Sequence, residues 1–303
     1  MNTKVTIAGV EFKNPIITAS GTFGFGKEYN EFYDISVLGG ICTKGLTLER
    51  REGNKSPRIA ETNMGIINSV GLQNPGIDGF IKEDVPFLNA LDTVVIANIA
   101  GNTEQDYTTL SDKVSKIDAV DMIELNISCP NVKAGGMAFG VLPQSVENIT
   151  KAVKKHCTKP LIVKLSPNVA NIADNARAAE NGGADAISLI NTVAGMAIDY
   201  RTRKPILANV SGGLSGPAIK PIALKMVHEA YKAVKIPIIG MGGIMCAEDV
   251  LEFMIAGAAA VQVGSANIFN PHAAQQIVND LTRVAKSCNI NAISEIVGTL
   301  KWQ

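Results

Sequence analysis

Eight short apolar runs, most of them separated by helix-like sequence, constrain this chain more than any other feature. They occupy residues 16–19, 40–43, 94–97, 122–125, 161–163, 186–189, 236–239 and 260–263. Most are continuous rather than alternating, as expected of parallel strands whose two faces are both covered. Helix-like stretches at 103–117, 144–156, 172–181, 217–233 and 247–256 supply crossovers between them. Strand then helix, repeated eight times, predicts an α/β fold, the (β/α)8 TIM barrel. A doubly wound sheet is the alternative, but its phosphate fingerprints, GxGxxG and GxxxxGK[ST], occur nowhere in the sequence. With no composition break or low-complexity linker, residues 1–303 read as one domain. Residues 6–12 predict a short N-terminal β-hairpin plugging the barrel bottom. Two connections, 46–92 and 192–235, exceed the usual βα length and predict long loops over the C-terminal face, where such loops carry binding.

The charge balance narrows the partners. Lys plus Arg number 28 and Asp plus Glu number 28, so the chain has no basic surplus with which to hold a nucleic acid. Hydrophobic residues make up 46% and charged residues 18%, which excludes a disordered chain and predicts a large core. The apolar runs are all too short or too interrupted to span a membrane, and the N-terminus has no signal-peptide pattern, so a cytoplasmic protein is expected. Five cysteines at 42, 129, 157, 246 and 288 form no CxxC pair, which argues against a disulfide framework, a zinc site or an iron–sulfur cluster. No His, Asp and Glu cluster has metal-ligand spacing, so no metal is expected.

Barrel enzymes place their chemistry at the C-terminal ends of the strands. In order, the residues there are Ser20, Lys44, Asn98, Asn126, Lys164, Asn191, Gly242 with Gly243, and Gly264 with Ser265. Polar residues end many strands for purely structural reasons, but two lysines and three carboxamides at successive ends exceed ordinary loop composition. The glycines at 240, 242, 243 and 264 follow strands seven and eight, where barrels hold a phosphate on bare backbone N–H groups. Residues 211–216, ending in Gly216, offer a third set of amides. Lys164 inside the mouth needs an anion or acceptor to offset its desolvation. A flavin ring gaining negative charge on reduction would supply one; a Schiff-base lysine and a structural ion pair are the rival readings.

Cys129 stands in Asn126-Ile-Ser-Cys-Pro-Asn131, directly after the fourth strand and before a glycine-rich stretch, and reads as a positioned thiol on a lid. The other four cysteines read as small buried hydrophobes. His156, His228 and His272 lie in or near helices, away from strand ends, which leaves Cys129 as the best general base or nucleophile. Asn68, Asn126, Asn131 and Asn191 carry both donors and acceptors and suit a flat ring bearing N–H and C=O groups.

These stretches resemble a known family. Ala19-Ser-Gly-Thr-Phe-Gly-Phe-Gly26, Thr43-Lys-Gly-Leu46, Asn68-Ser-Val-Gly-Leu-Gln-Asn-Pro-Gly76, Asn126-Ile-Ser-Cys-Pro-Asn131, Asn191-Thr192 and Gly240-Met-Gly-Gly-Ile244 are similar to the dihydroorotate dehydrogenases. The resemblance covers essentially the whole chain. Cysteine at 129 resembles class 1, since class 2 has serine there. The sequences around Ser20, Gly71 and 194–199 resemble class 1B, the catalytic subunit of the NAD-dependent enzyme, more than the fumarate-using class 1A. The resemblance implies one FMN held by Ser20, Lys44, Gly45, Asn98, Asn126, Lys164, Ile190, Gly216, Gly242, Gly243, Gly264 and Ser265. It implies a substrate, (S)-dihydroorotate, held by Lys44, Asn68, Ser69, Val70, Gly71, Leu72, Asn126, Asn131, Asn191 and Thr192. Cys129 would remove the C5 proton while hydride leaves C6 for flavin N5, giving orotate for pyrimidine biosynthesis. The missing NAD module and iron–sulfur motif fit a partner subunit carrying FAD and a [2Fe–2S] cluster, in a heterotetramer of two plus two around a catalytic homodimer. A class 1A-like fumarate-dependent enzyme or another dihydropyrimidine oxidoreductase, a flavin-free Schiff-base lyase or aldolase using Lys164 and a non-catalytic binding barrel are the competing expectations.

Overall fold

The computed structural model describes residues 1–128 and 139–302. The chain opens with the expected hairpin, β1 (Val5–Ile7) and β2 (Val10–Phe12), paired antiparallel. Its two-residue loop puts Ala8 at φ 49° and Gly9 at φ 85°, the left-handed pair that matches strand twist in a tight hairpin. Strands β3 (Ile16–Thr18) and β4 (Gly40–Cys42) enter the barrel, and β5 (Ile59–Thr62) and β6 (Gly65–Asn68) leave it. The barrel resumes with β7 (Val94–Ile99), β8 (Met122–Asn126), β9 (Leu161–Lys164) and β10 (Ala186–Leu189). Next come β11 (Val193–Met196), β12 (Ile198–Asp199), β13 (Lys204–Pro205) and β14 (Ser211–Ser215), all outside it. Strands β15 (Ile238–Met241) and β16 (Ala260–Val263) complete the ring.

The ring is a closed barrel of eight strands in the order β10-β15-β16-β3-β4-β7-β8-β9, each pair parallel. Closure comes from the last strand pairing with the first, Val261 against Ile16 and Val263 against Thr18. Helices Glu104–Ser115, Pro143–Lys154, Ile172–Asn181, Lys220–Ala233 and Ala247–Ala256 cover the outside, each within a few residues of its expected span. Their starts follow local chemistry: Thr103 and Asp106 form a reciprocal capping box, and the Asn171 side chain caps the Ala173 amide. Phe12 is fully buried against Gly40 at the N-terminal end of β4, so the hairpin does seal that end of the barrel.

Two expectations change. The seventh strand begins two residues later than its apolar run, because Pro237 has no N–H for the ladder, and Gly240 and Met241 lie inside it rather than beyond it. The two long connections are not loops alone. They meet in a four-stranded antiparallel sheet, β11-β14-β6-β5, which sets Asn68 beside Gly213 and Ile67 beside Leu214. Of the described residues, no helix is long and apolar enough to cross a membrane.

Candidate active site

The upper barrel interior is polar where the sequence reads as nearly uniform apolar strand. Parallel strands alternate their side chains, and Thr18, Cys42, Asn98, Glu124, Lys164, Ser188 and Gln262 are all buried. Glu124 is the hub, at 0% exposure. Its Oε1 accepts from Asn98 Nδ2 at 2.7 Å and from the Cys42 thiol at 3.4 Å. Its Oε2 accepts from Ser188 Oγ at 2.8 Å and from Gln262 Nε2 at 2.7 Å. The Lys164 ammonium stands 3.6 Å from Oε1. A carboxylate buried this deeply is tolerable only with its lone pairs filled and a cation beside it. Burial pushes its carboxyl up, but Lys164 and the hydrogen bonds from Gln262, Ser188 and Asn98 outweigh it and hold Glu124 below its ordinary value. Burial and then the Glu124 charge push the Cys42 thiol well up, so Cys42 stays a protonated donor.

Above this hub stand the expected mouth residues. Asn126, opposite Lys164 in the ladder, donates to Asn98 Oδ1 at 3.5 Å and accepts from the Ser128 amide at 3.3 Å. Gly45 lies so close to Asn98 that a Cβ there would sit 2.9 Å from Asn98 Oδ1 and 3.2 Å from Leu72. The segment from Asn68 to Leu72 is held down by Asn54, whose amide donates to the Val70 carbonyl at 2.9 Å and whose Nδ2 donates to the Ser69 carbonyl at 2.8 Å. Gly71, at φ 81°, passes against Asn54, where a Cβ would come within 2.6 Å of its side chain. Asn191 donates its backbone N–H to the Leu165 carbonyl at 3.1 Å, and its side chain accepts from the Thr192 amide at 2.8 Å. Thr192 packs on Gly213 of β14, which ties the β10 end to the outer sheet. Burial, then the charge of Arg58, lower the Lys44 ammonium from its ordinary value.

A second cluster is built from bare backbone. Gly243, at φ 75°, crosses Gly216 so closely that a Cβ would lie 2.8 Å from the Gly216 carbonyl oxygen. Gly242, at φ 125°, packs on Ile190, whose Cγ1 would be 3.4 Å from such a Cβ. Only glycine is at ease at these angles. Gly264 is different: its surroundings are open, the nearest atom to a Cβ being that of Ala19 at 3.4 Å, beside Ser20. Thus Ile190, Gly216, Gly242 and Gly243 come together on one side of the rim, and Ser20, Gly264 and Ser265 adjoin across β3 and β16.

A flavin mononucleotide needs an anion cradle, a cation near the ring's polar edge and a flat slot with mixed donors and acceptors. The residues present fit it. Gly242, Gly243 and Gly264 keep part of their surface exposed, two ammonium groups stand at the mouth, and buried polar atoms remain to be matched. Gln262 Oε1 and Ser69 Oγ have no hydrogen-bond partner among the described residues.

Cys129 and Asn131 lie outside the described residues. The three histidines are where the sequence puts them: His156 just past the Pro143–Lys154 helix, His228 within Lys220–Ala233, and His272 before Ala273–Ser287. Among the described residues no cluster of His, Cys, Asp and Glu could hold a metal. Two cysteines depart from the buried expectation. Cys288 is exposed at the end of its helix, and Cys246 is half-buried at the N-cap of Ala247–Ala256 against Asp249, where burial pushes its thiol up to about 11. The residues that sequence reasoning missed are Glu124, Ser188 and Gln262. Their signal was available: each is a polar residue inside a four- or five-residue apolar run, where burial demands a partner.

Comparison with known proteins shows the family. The family model for dihydroorotate dehydrogenase matches residues 2–284. A curated protein of Thermoanaerobacter pseudethanolicus, named dihydroorotate dehydrogenase B (NAD(+)), catalytic subunit, is 56% identical over 301 residues, covering 99% of each chain. Proteins of the same name from Alkaliphilus oremlandii and Bacillus pumilus are 57% identical over 299 residues and 53% identical over 294 residues. The former covers 99% of each chain, and the latter 97% of this chain and 95% of its own. With the family model spanning nearly the whole barrel and relatives matched end to end, the chain belongs to the dihydroorotate dehydrogenase family.

Proposed function

We propose that the chain is the catalytic subunit of an NAD-linked dihydroorotate dehydrogenase, oxidising (S)-dihydroorotate to orotate in pyrimidine biosynthesis. The observation that carries this reading is the convergence, at one end of one barrel, of Lys44, Asn98, Asn126 and Lys164 with the glycine rim of Gly216, Gly242, Gly243 and Gly264. When bound, the flavin would be held by Ser20, Lys44, Gly45, Asn98, Asn126, Lys164, Ile190, Gly216, Gly242, Gly243, Gly264 and Ser265. FMN supplies the two-electron acceptor that no side chain here provides.

The chain's own residues bind, orient and deprotonate. Lys44 brings positive charge to the substrate's carboxylate. Asn68, Ser69, Val70, Gly71 and Leu72 form one wall of the pocket, and Asn126, Asn131, Asn191 and Thr192 match ring N–H and C=O groups. Cys129 removes the C5 proton through Sγ, a role that falls to it because no histidine reaches the mouth. The whole site sits on a single barrel domain, which leaves NAD to a partner subunit carrying FAD and a [2Fe–2S] cluster, two such chains joining a catalytic homodimer in the cytoplasm.

Purification with and without co-expressed neighbouring subunits tests the reading. The lone chain is expected to be yellow, to bleach with dihydroorotate and to leave NAD unreduced, while the complex reduces NAD. A colourless lone chain sinks the flavin assignment. Fumarate reduction by the lone chain at the rate of the complex with NAD replaces the NAD-linked reading with a class 1A one.

A further inference from the structure

Of the buried carboxylates among the described residues, Asp84, Glu124 and Asp249, only Glu124 is fully enclosed inside the barrel beneath the mouth, and the reaction above does not use it. Glu124 is enclosed at 0% exposure, and every neighbour within reach gives it a hydrogen or a positive charge. An ionised carboxylate accepts only, so it dictates the direction of each hydrogen bond around it. Asn98 must turn its NH2 toward Glu124, at 2.7 Å, and so turns its carbonyl oxygen the other way, where it receives Asn126 Nδ2 at 3.5 Å. Asn126 thereby points its own carbonyl oxygen to the Ser128 amide at 3.3 Å. The polarity of two carboxamides at the mouth is thus written from below by one carboxylate. An isolated asparagine amide can sit either way round at little cost, and the wrong orientation would offer donors where the ligand needs acceptors. The same carboxylate is the only acidic group within ion-pair distance of Lys164 among the described residues.

We propose that Glu124 is a positioning residue for the flavin site, fixing the carboxamide orientation of Asn98 and Asn126 and holding the Lys164 ammonium from beneath. The inference rests on the FMN reading above. Glu124 touches neither substrate nor flavin in this role; it acts through the three side chains that do. It also places a compensating negative charge under Lys164, so the pair adds no net charge beneath the ring. Removing that charge leaves an uncompensated cation, which favours the reduced, negatively charged flavin.

The test is Glu124→Gln, a near-isosteric change that removes the charge and lets the amide at 124 donate as well as accept. Two quantities are read on the reconstituted chain: the FMN dissociation constant, from fluorescence quenching, and the midpoint potential of bound FMN at pH 7, against a reference dye. The expected result is FMN binding weakened about tenfold, the cost of one or two mis-set hydrogen bonds, together with a potential shifted to more positive values. A merely structural glutamate would lower thermal stability and leave the potential of the remaining bound FMN unmoved, and that outcome overturns the proposal. If Glu124→Gln does not fold, Glu124→Asp keeps the charge and withdraws it by one methylene. FMN binding weakened several-fold at constant potential is then expected, and parental affinity rejects the proposal. A parental chain that binds no FMN removes both this inference and the flavin reading; normal FMN binding in the parent with an indistinguishable Glu124→Gln variant removes the inference alone.

Discussion

The two ends of the barrel are made from the same eight strands and yet are chemically opposite. At the bottom, Ile7 and Phe12 of the hairpin close an apolar end, and the contacts are non-directional. At the top, the strand interiors carry Cys42, Asn98, Glu124, Lys164, Ser188 and Gln262, joined by hydrogen bonds that each have one workable direction. A strand of four residues contributes to both ends, so a shift of one residue along it separates stability from chemistry. The apolar plug at the bottom tolerates volume-conserving apolar swaps. The top does not, because a buried polar set left half satisfied costs more than an apolar one.

Four experiments break or sharpen that contrast. The largest effect is expected at Cys129, outside the described residues: Cys129→Ala should lower kcat by about 100- to 10,000-fold, the range of a lost general base, while FMN occupancy stays at the parental level. Parental turnover at all pH values would remove Cys129 from the reaction. At the bottom, Phe12→Ala should cost about 3–5 kcal/mol of stability, read from denaturant melts, with kcat per flavin-loaded molecule unchanged. A fall in kcat there would mean that the two ends are coupled and the contrast is false.

Gly243→Ala comes next. Its φ of 75° and the Gly216 carbonyl 2.8 Å from the new Cβ imply strain of about 1–3 kcal/mol, expected as weaker FMN binding by roughly tenfold with little change in KM for dihydroorotate. The smallest effect is a pH dependence. Burial and Arg58 lower the Lys44 ammonium, so its charge is lost at a lower pH than that of an ordinary lysine. KM for the anionic substrate should therefore rise several-fold on the alkaline side, and Lys44→Met should have a high KM already at neutral pH and a flat profile there. A parental KM that stays as level on the alkaline side as that of Lys44→Met takes the substrate carboxylate away from Lys44.

The barrel was legible because its signal is local and repeated: short, mostly apolar runs such as 94–97 or 161–163 recur along the chain, and helix-like sequence falls between many of them, which together read as covered parallel strands. Strand ends were legible for the same reason, and Lys44, Asn98, Asn126 and Lys164 stand where the count of runs puts them. What escaped was pairing across distance. Asn68 meets Gly213 at a sequence separation of 145, and each segment alone is short, glycine-rich or half-polar, so both read as loop. Glu124 escaped because an apolar run absorbs a single charged residue without losing its appearance. Only the closed ring brings Asn98, Lys164, Ser188 and Gln262 around that residue.

Closure of the ring by β16 on β3 has a consequence for how the protein is made. The pairing of Val261 with Ile16 joins the first barrel strand to the last, so the ring cannot shut while the ribosome still holds residues 260–263 in its tunnel. Gly264 and Ser265, which adjoin Ser20, emerge later still. Nascent chains and products truncated before that point lack residues proposed for one edge of the flavin site, so flavin binding is expected only after synthesis has passed residue 265.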